Sequence, residues 1–143
     1  MKKRSFMHIV ETTGGNRTQR QIAENVVHYM IKYLMPRLRN IEVEVKFSKL
    51  TGDAVGYCCM LDNNREFEIE VSKDLTVKEL VMTVCHEMVH VKQYVRNEMK
   101  EGQMVWKKKA VPEDTAYYDL PWEKEAYRLQ AKLAKACWDN DII

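Results

Sequence analysis

The chain predicts an α+β domain: an N-terminal helix, a three-stranded mainly antiparallel sheet, a long central helix and a C-terminal helix. Three observations carry this. Residues 41–47 alternate strictly, with Ile41, Val43, Val45 and Phe47 on one side and polar residues on the other, the period of a half-buried strand. Residues 66–71 repeat the pattern with Phe67, Ile69 and Val71. Three further segments, 18–38, 76–99 and 120–139, space their apolar residues by three and four, as amphipathic helices do. With 143 residues, 45% of them hydrophobic, the expectation is one domain over 1–143 with a substantial core.

Composition narrows the function classes. The net charge is +2 with both signs mixed, so neither nucleic acid nor an anionic membrane surface is indicated. No apolar run reaches the length of a membrane span. The start, Met1-Lys2-Lys3-Arg4-Ser5-Phe6, is basic but no long apolar stretch follows, so no secretory signal is read there. Cys58, Cys59, Cys85 and Cys137 show no C-x-x-C spacing and read as reduced, core-type thiols of a cytoplasmic protein.

In chain order, residues 5–11 suit a short strand or ordered arm, closed by Gly14-Gly15. Thr18 and Gln21 have capping-box spacing, and Pro36 marks the end of a helix over 18–38. After the strand at 41–47, Thr51-Gly52-Asp53-Ala54 is turn chemistry. Strands at 57–61 and 66–71 flank a hairpin turn at 62–65, and the short links predict an antiparallel meander. Thr76 and Glu79 form a second capping box, opening a helix to about residue 99 with Leu80, Val81, Val84, Cys85, Met88 and Val91 as its core stripe. Residues 100–119 are irregular, with a short strand pair expected near 103–109, a solvated Lys107-Lys108-Lys109 run and a turn at 111–114. A loop of that length is usually functional or mobile. Asp119 or Leu120 caps the last helix, Pro121 sits in its first turn, and Trp122, Ala126, Leu129, Leu133 and Ala136 form its stripe.

The central helix contains Val84-Cys85-His86-Glu87-Met88-Val89-His90-Val91. Residues four apart share a helix face, so His86 and His90 can present two imidazoles to one ion. Neutral imidazoles suit Zn²⁺, which keeps a position open for water when it serves catalysis. Glu87 lies about 100° round the helix from His86. From there its carboxylate can take a proton from a water made acidic by the metal. This is the mechanics of the His-Glu-x-x-His motif.

Two histidines leave the site one ligand short. No histidine follows His90, and His8 and His28 lie far back in the chain. A carboxylate from the last helix is the better candidate, either Glu123 or Glu125. Helical angle separates them. Glu123 flanks the apolar stripe beside Tyr127, Gln130 and Ala134, neighbours that suit a face packed on another helix. Glu125 lies on the opposite flank beside Arg128 and Lys132, where a solvated ion pair is expected. Glu123 is preferred, with Glu125 the alternative.

At this point the chain resembles the zincin metallopeptidases, and among them the gluzincins, which carry His-Glu-x-x-His on one helix and a glutamate on a later one. The likeness rests on His86, Glu87, His90 and Pro121-Trp122-Glu123-Lys124-Glu125-Ala126. Over roughly residues 18–138 the element order is similar to minimal gluzincins and to ImmA/IrrE-type and SprT-like small zincins. The resemblance implies that His86, His90 and Glu123 bind zinc. It implies that Glu87 is general base and then acid. It also implies that an edge strand, expected at 66–71, aligns an extended protein or peptide substrate by β-addition.

Two departures stand out. Where many gluzincins have Asp or Asn four residues after the ligand glutamate, this chain has Tyr127, with Asp119 as a conceivable substitute. SprT-like members commonly use a third histidine, and none is in place here. Within these 143 residues the extra binding domain that full-length relatives often carry is not expected. Tyr94, Tyr117, Tyr118 and Tyr127 are candidates to stabilise an oxyanion. The rival reading is a zincin-fold regulatory or binding protein that holds metal without cleaving. An intact Glu87 favours catalysis, because binding alone would not need it.

Overall fold

The computed structural model describes residues 6–143. The basic start of the chain lies outside the described residues. The α+β class holds. In order, the elements are β1 (Met7–Thr13), α1 (Arg17–Leu34), β2 (Asn40–Ser48), β3 (Gly56–Met60), β4 (Glu66–Ser72), α2 (Val77–Val95), a small hairpin of β5 (Val105–Trp106) and β6 (Lys109–Ala110), a 3₁₀ turn (Tyr117–Asp119) and α3 (Pro121–Asp139).

The sheet corrects the expected antiparallel meander. It has four strands in the order β1-β2-β4-β3. β1 is parallel to β2 and β2 is parallel to β4, while only β3 and β4 form an antiparallel pair. The segment expected as a strand or arm at 5–11 is thus the first strand, joined to β2 by the α1 crossover that a parallel pair requires. Burial explains why β4 is placed inside. Phe67, Ile69 and Val71 are all fully buried, and the parallel register sets them beside Val43, Val45 and Phe47. β3 has no such face, since Gly56, Cys58 and Met60 are only half-buried, and it takes the edge. The residues between β2 and β3 carry the chain past the place that β4 then fills.

All three helices lie on one side of the sheet. α1 and α2 cover its inner face, and α3 packs chiefly on α2. The outer face is solvated and acidic, with Glu42, Glu44, Glu66, Glu68 and Glu70 exposed or half-buried on it. Alternating strands with one covered face produce this segregation.

Helix boundaries differ from expectation for local reasons. α1 is capped by Asn16 rather than Thr18: Gln19 N–H donates to Asn16 Oδ1 at 2.9 Å and Asn16 N–H to Gln19 Oε1 at 2.9 Å. Asn16 follows the Gly14-Gly15 turn directly, so the helix begins one residue later. It stops at Leu34, ahead of Pro36. α2 opens on the expected Thr76–Glu79 box but ends at Val95. Asn97 adopts a left-handed φ of 55°, and Glu98 N–H returns to Gln93 O at 2.9 Å, closing the helix.

The cap assignment has a measurable consequence. Asn16→Ala is expected to cost about 0.5–2 kcal/mol in a urea denaturation, the usual loss for an N-cap. Thr18→Ala, on the exposed first turn, is expected to stay within about 0.5 kcal/mol of wild type.

Candidate metal centre

The Thr76 cap fixes the start of α2, and ten residues later the helix presents His86, Glu87 and His90, all buried at 6–7% exposure. Glu123 meets them from the first turn of α3, where Pro121 occupies the first position. Glu123 Oε1 lies 3.1 Å from His86 Nε2, and Oε2 lies 3.3 Å from His90 Nε2. One donor atom from each of these three side chains lies within 4.8 Å of the others. Two imidazole nitrogens and one carboxylate oxygen form the donor set of a three-ligand catalytic zinc site, so the residues fit a metal of that kind.

Glu125 does not join them. It turns to Lys92, which also binds Glu98 at 2.7 Å. Lys92 is buried, with its side chain 8% exposed. The expected solvated pair with Arg128 or Lys132 is therefore corrected. Glu125 neutralises a buried cation of α2, an arrangement far more costly to break than a surface pair.

Electrostatics separate the two carboxylates of the cluster. Burial pushes Glu123 up, but hydrogen bonds with His86 and His90 outweigh it and hold the carboxyl down at about 2. Glu87 is raised by burial, which the two histidines only partly offset and Glu123 reinforces. Burial lowers His90, yet Glu123, Glu87 and Gln93 together carry it above its ordinary value.

The cluster lies in the wall of a cleft of about 910 Å³. Gly56, Tyr57 and Cys58 of β3 form one side, and Tyr117, Tyr118 and Tyr127 the other. Gly56 is required for this approach: a Cβ there would sit 2.7 Å from Thr83 Cγ2 and 3.5 Å from Glu87 Cγ. The edge strand beside the cluster is β3, not the strand at 66–71, which corrects that expectation.

The four tyrosines are not equivalent. Tyr127 sets its ring edge-on to His86, centroids 4.6 Å apart, and so does not occupy the hydrogen-bonding place of the missing acid. Burial raises the Tyr117 hydroxyl, and the nearby Tyr127 and Glu123 add to the rise. Burial also raises Tyr94, and Glu101 adds to it. Tyr118 is largely exposed. Asp119 is exposed in the 3₁₀ turn.

Two residues given no role in the sequence reading touch the imidazoles. Gln130 Oε1 lies 2.7 Å from His86 Nδ1, and Gln93 Oε1 lies 2.8 Å from His90 Nδ1. Spacing placed them on the right helix faces but did not by itself mark them as partners of the imidazoles. Gln93 is three residues after His90, and Gln130 is seven after Glu123, so each shares a helix face with a candidate ligand. All four cysteines are free, as expected; Cys59, however, is exposed on the outer sheet face rather than in the core.

The SprT-like family matches residues 23–111, more than half of the chain, and the chain belongs to it. This family is related to the zincin-like metallopeptidases. The matched stretch contains His86, Glu87 and His90 and ends before Glu123. Among curated proteins and solved structures there is no significant match. No helix among the described residues is long and apolar enough to cross a membrane.

Closeness of β3 to α2 sets the next expectation. Gly56→Ala is expected to cost about 1–3 kcal/mol of stability by chemical denaturation, as overpacking against a β-branched neighbour does. Gly52→Ala serves as the control for glycine replacement: it meets open space but has a φ of +67°, so its strain is local.

Proposed function

We propose that this chain is a zinc-dependent metallopeptidase of gluzincin type, with His86, His90 and Glu123 as metal ligands and Glu87 as general base. The observation that carries the reading is the convergence of the three donor groups, within 4.8 Å, beside a buried fourth residue that could act on water. Bound there, zinc would act as a Lewis acid towards a water molecule and towards the scissile carbonyl.

The chain's own residues account for the rest. The Glu87 carboxylate takes a proton from the attacking water as its oxygen adds to the carbonyl carbon. Burial, by favouring the protonated carboxyl, helps Glu87 hold that proton until the C–N bond breaks and the leaving amine receives it. Tyr117, which lines the cleft beside Glu123, is the tyrosine proposed to donate to the oxyanion. An extended polypeptide is the proposed substrate. β3 pairs with β4 on one side only, and its residues line the cleft, which suits addition of a substrate strand. The free thiols suit a reducing compartment such as the cytoplasm.

Metal analysis of purified protein tests the ligand set. About one zinc per chain is expected in wild type and in Glu125→Gln, with loss in His86→Ala and Glu123→Ala. Glu125→Gln keeps the size of the side chain but leaves Lys92 to Glu98 alone, so its fold is checked by circular dichroism, and zinc loss from a folded Glu125→Gln would overturn the choice of third ligand. Glu87→Gln is expected to keep zinc and lose about 10²–10⁴-fold in peptide hydrolysis, the usual worth of a general base. Undiminished hydrolysis by that variant would reject the mechanism.

A further inference from the structure

Gln93 is fully buried, and its neighbours fix which way its amide faces. Its Nε2 donates to the Trp122 carbonyl at 3.0 Å and to Glu125 Oε1 at 3.1 Å. Both partners are acceptors, so the amide nitrogen must face them and the oxygen must face His90. An amide oxygen only accepts, so the 2.8 Å contact with His90 Nδ1 requires the proton to sit on Nδ1. That leaves a lone pair on the neutral ring's Nε2, the atom that faces Glu123. Gln130 makes the corresponding contact from α3, its oxygen 2.7 Å from His86 Nδ1; no second partner fixes this amide, and it is a metal ion at Nε2 that calls for a proton on Nδ1 and an oxygen facing it. Hydrogen bonds from the two Nε2 atoms to Glu123 need a second proton on each ring; without it the two Nε2 lone pairs converge on the carboxylate, an arrangement that calls for a cation between them.

We propose that Gln93 and Gln130 are positioning residues of the metal site: they hold both imidazoles in the Nδ1–H form and tie the helix that carries the histidines to the helix that carries Glu123. The inference rests on the metal reading of the site. The tie crosses the helix interface in both directions. Gln130 belongs to α3 and holds a histidine of α2. Gln93 belongs to α2 and holds the carbonyl one residue before Glu123. A slip of α3 along α2 would break the same bonds that orient the rings. The choice of amides also fits the charge of the pocket. Glu87 and Glu123 are already buried there, and neutral acceptors orient the imidazoles without adding another anion.

The test combines histidine side-chain ¹⁵N NMR of the metal-free protein, at a pH where the rings are neutral, with zinc titration against a competing chelator. It uses wild type, Gln130→Leu, Gln130→Glu and Gln93→Met. Wild type is expected to show Nδ1–H rings at His86 and His90. In Gln130→Leu the His86 ring is expected to lose that preference while His90 keeps it, and zinc affinity to fall about 10–100-fold. Gln130→Glu, whose carboxylate can accept the same bond, is expected to restore both. Gln130 is only half-buried, so its variants decide the matter even where Gln93→Met fails to fold. Unchanged tautomer and unchanged zinc affinity in Gln130→Leu would reduce the glutamines to packing and overturn the proposal. A wild type without zinc affinity would instead reject the metal reading on which the proposal stands.

Discussion

Residues 83–93 of α2 are buried without a break. The inner face of the sheet lies against one side of the helix, α1 against another and α3 against a third. A helix enclosed in this way is normally apolar all round. This one carries Thr83, His86, Glu87, His90, Lys92 and Gln93 into the interior. Each buried polar group left unpaired would cost about 1–3 kcal/mol, and a charged one more. The need to satisfy them dictates where α3 goes. Glu123 answers the histidines, Glu125 answers Lys92, the Trp122 carbonyl answers Gln93, and Gln130 answers His86. Ala126, Leu133 and Cys137 add apolar contact, but the register of α3 on α2 is set by polar partners that admit few alternatives.

That division explains what the sequence disclosed of the fold. Periodicity reports which face of an element is covered, and it placed Ile41, Val43, Val45, Phe47, Phe67, Ile69 and Val71 correctly in the core. It does not report which strand lies beside which. Short links favoured a meander, yet the chain inserts β4 beside β2 because two strongly apolar strands bury more surface together than either would beside β3. The caps were visible only in part. Thr76 and Glu79 had no competitor, whereas Asn16–Gln19 and Thr18–Gln21 both have capping spacing two residues apart, and the preceding glycine pair decided between them.

The site was legible wherever helical geometry alone determined proximity. Four-residue spacing brought His86 and His90 together, and the flank of α3 separated Glu123 from Glu125. Legibility ended where two elements distant in sequence meet. Lys92 was not recognisable as the partner of Glu125, since a lysine in a helix normally reaches solvent. Gln93 and Gln130 lay on the right faces, but a glutamine carries no signal until its amide is seen against an imidazole. Nothing marked Gly56 as the point where a strand must cross a helix at a distance that excludes even a methyl group.

The order of the strands then matters for chemistry as much as for packing. An interior β4 leaves β3, which has no fully buried residue, at the sheet edge beside the cleft, and Gly56 lets that edge close onto α2 opposite Thr83 and Glu87. The same strand therefore has a free side towards the cleft and a fixed height above the general-base candidate. Had β4 formed the edge, Phe67, Ile69 and Val71 would have lost a neighbouring strand, and the cleft would have been bounded by a strand selected for core packing. Poor burial of β3 is thus what leaves its outer edge unpaired beside the cleft, the edge on which the proposed addition of a substrate strand depends. Its glycine is what brings that edge close to the buried Glu87.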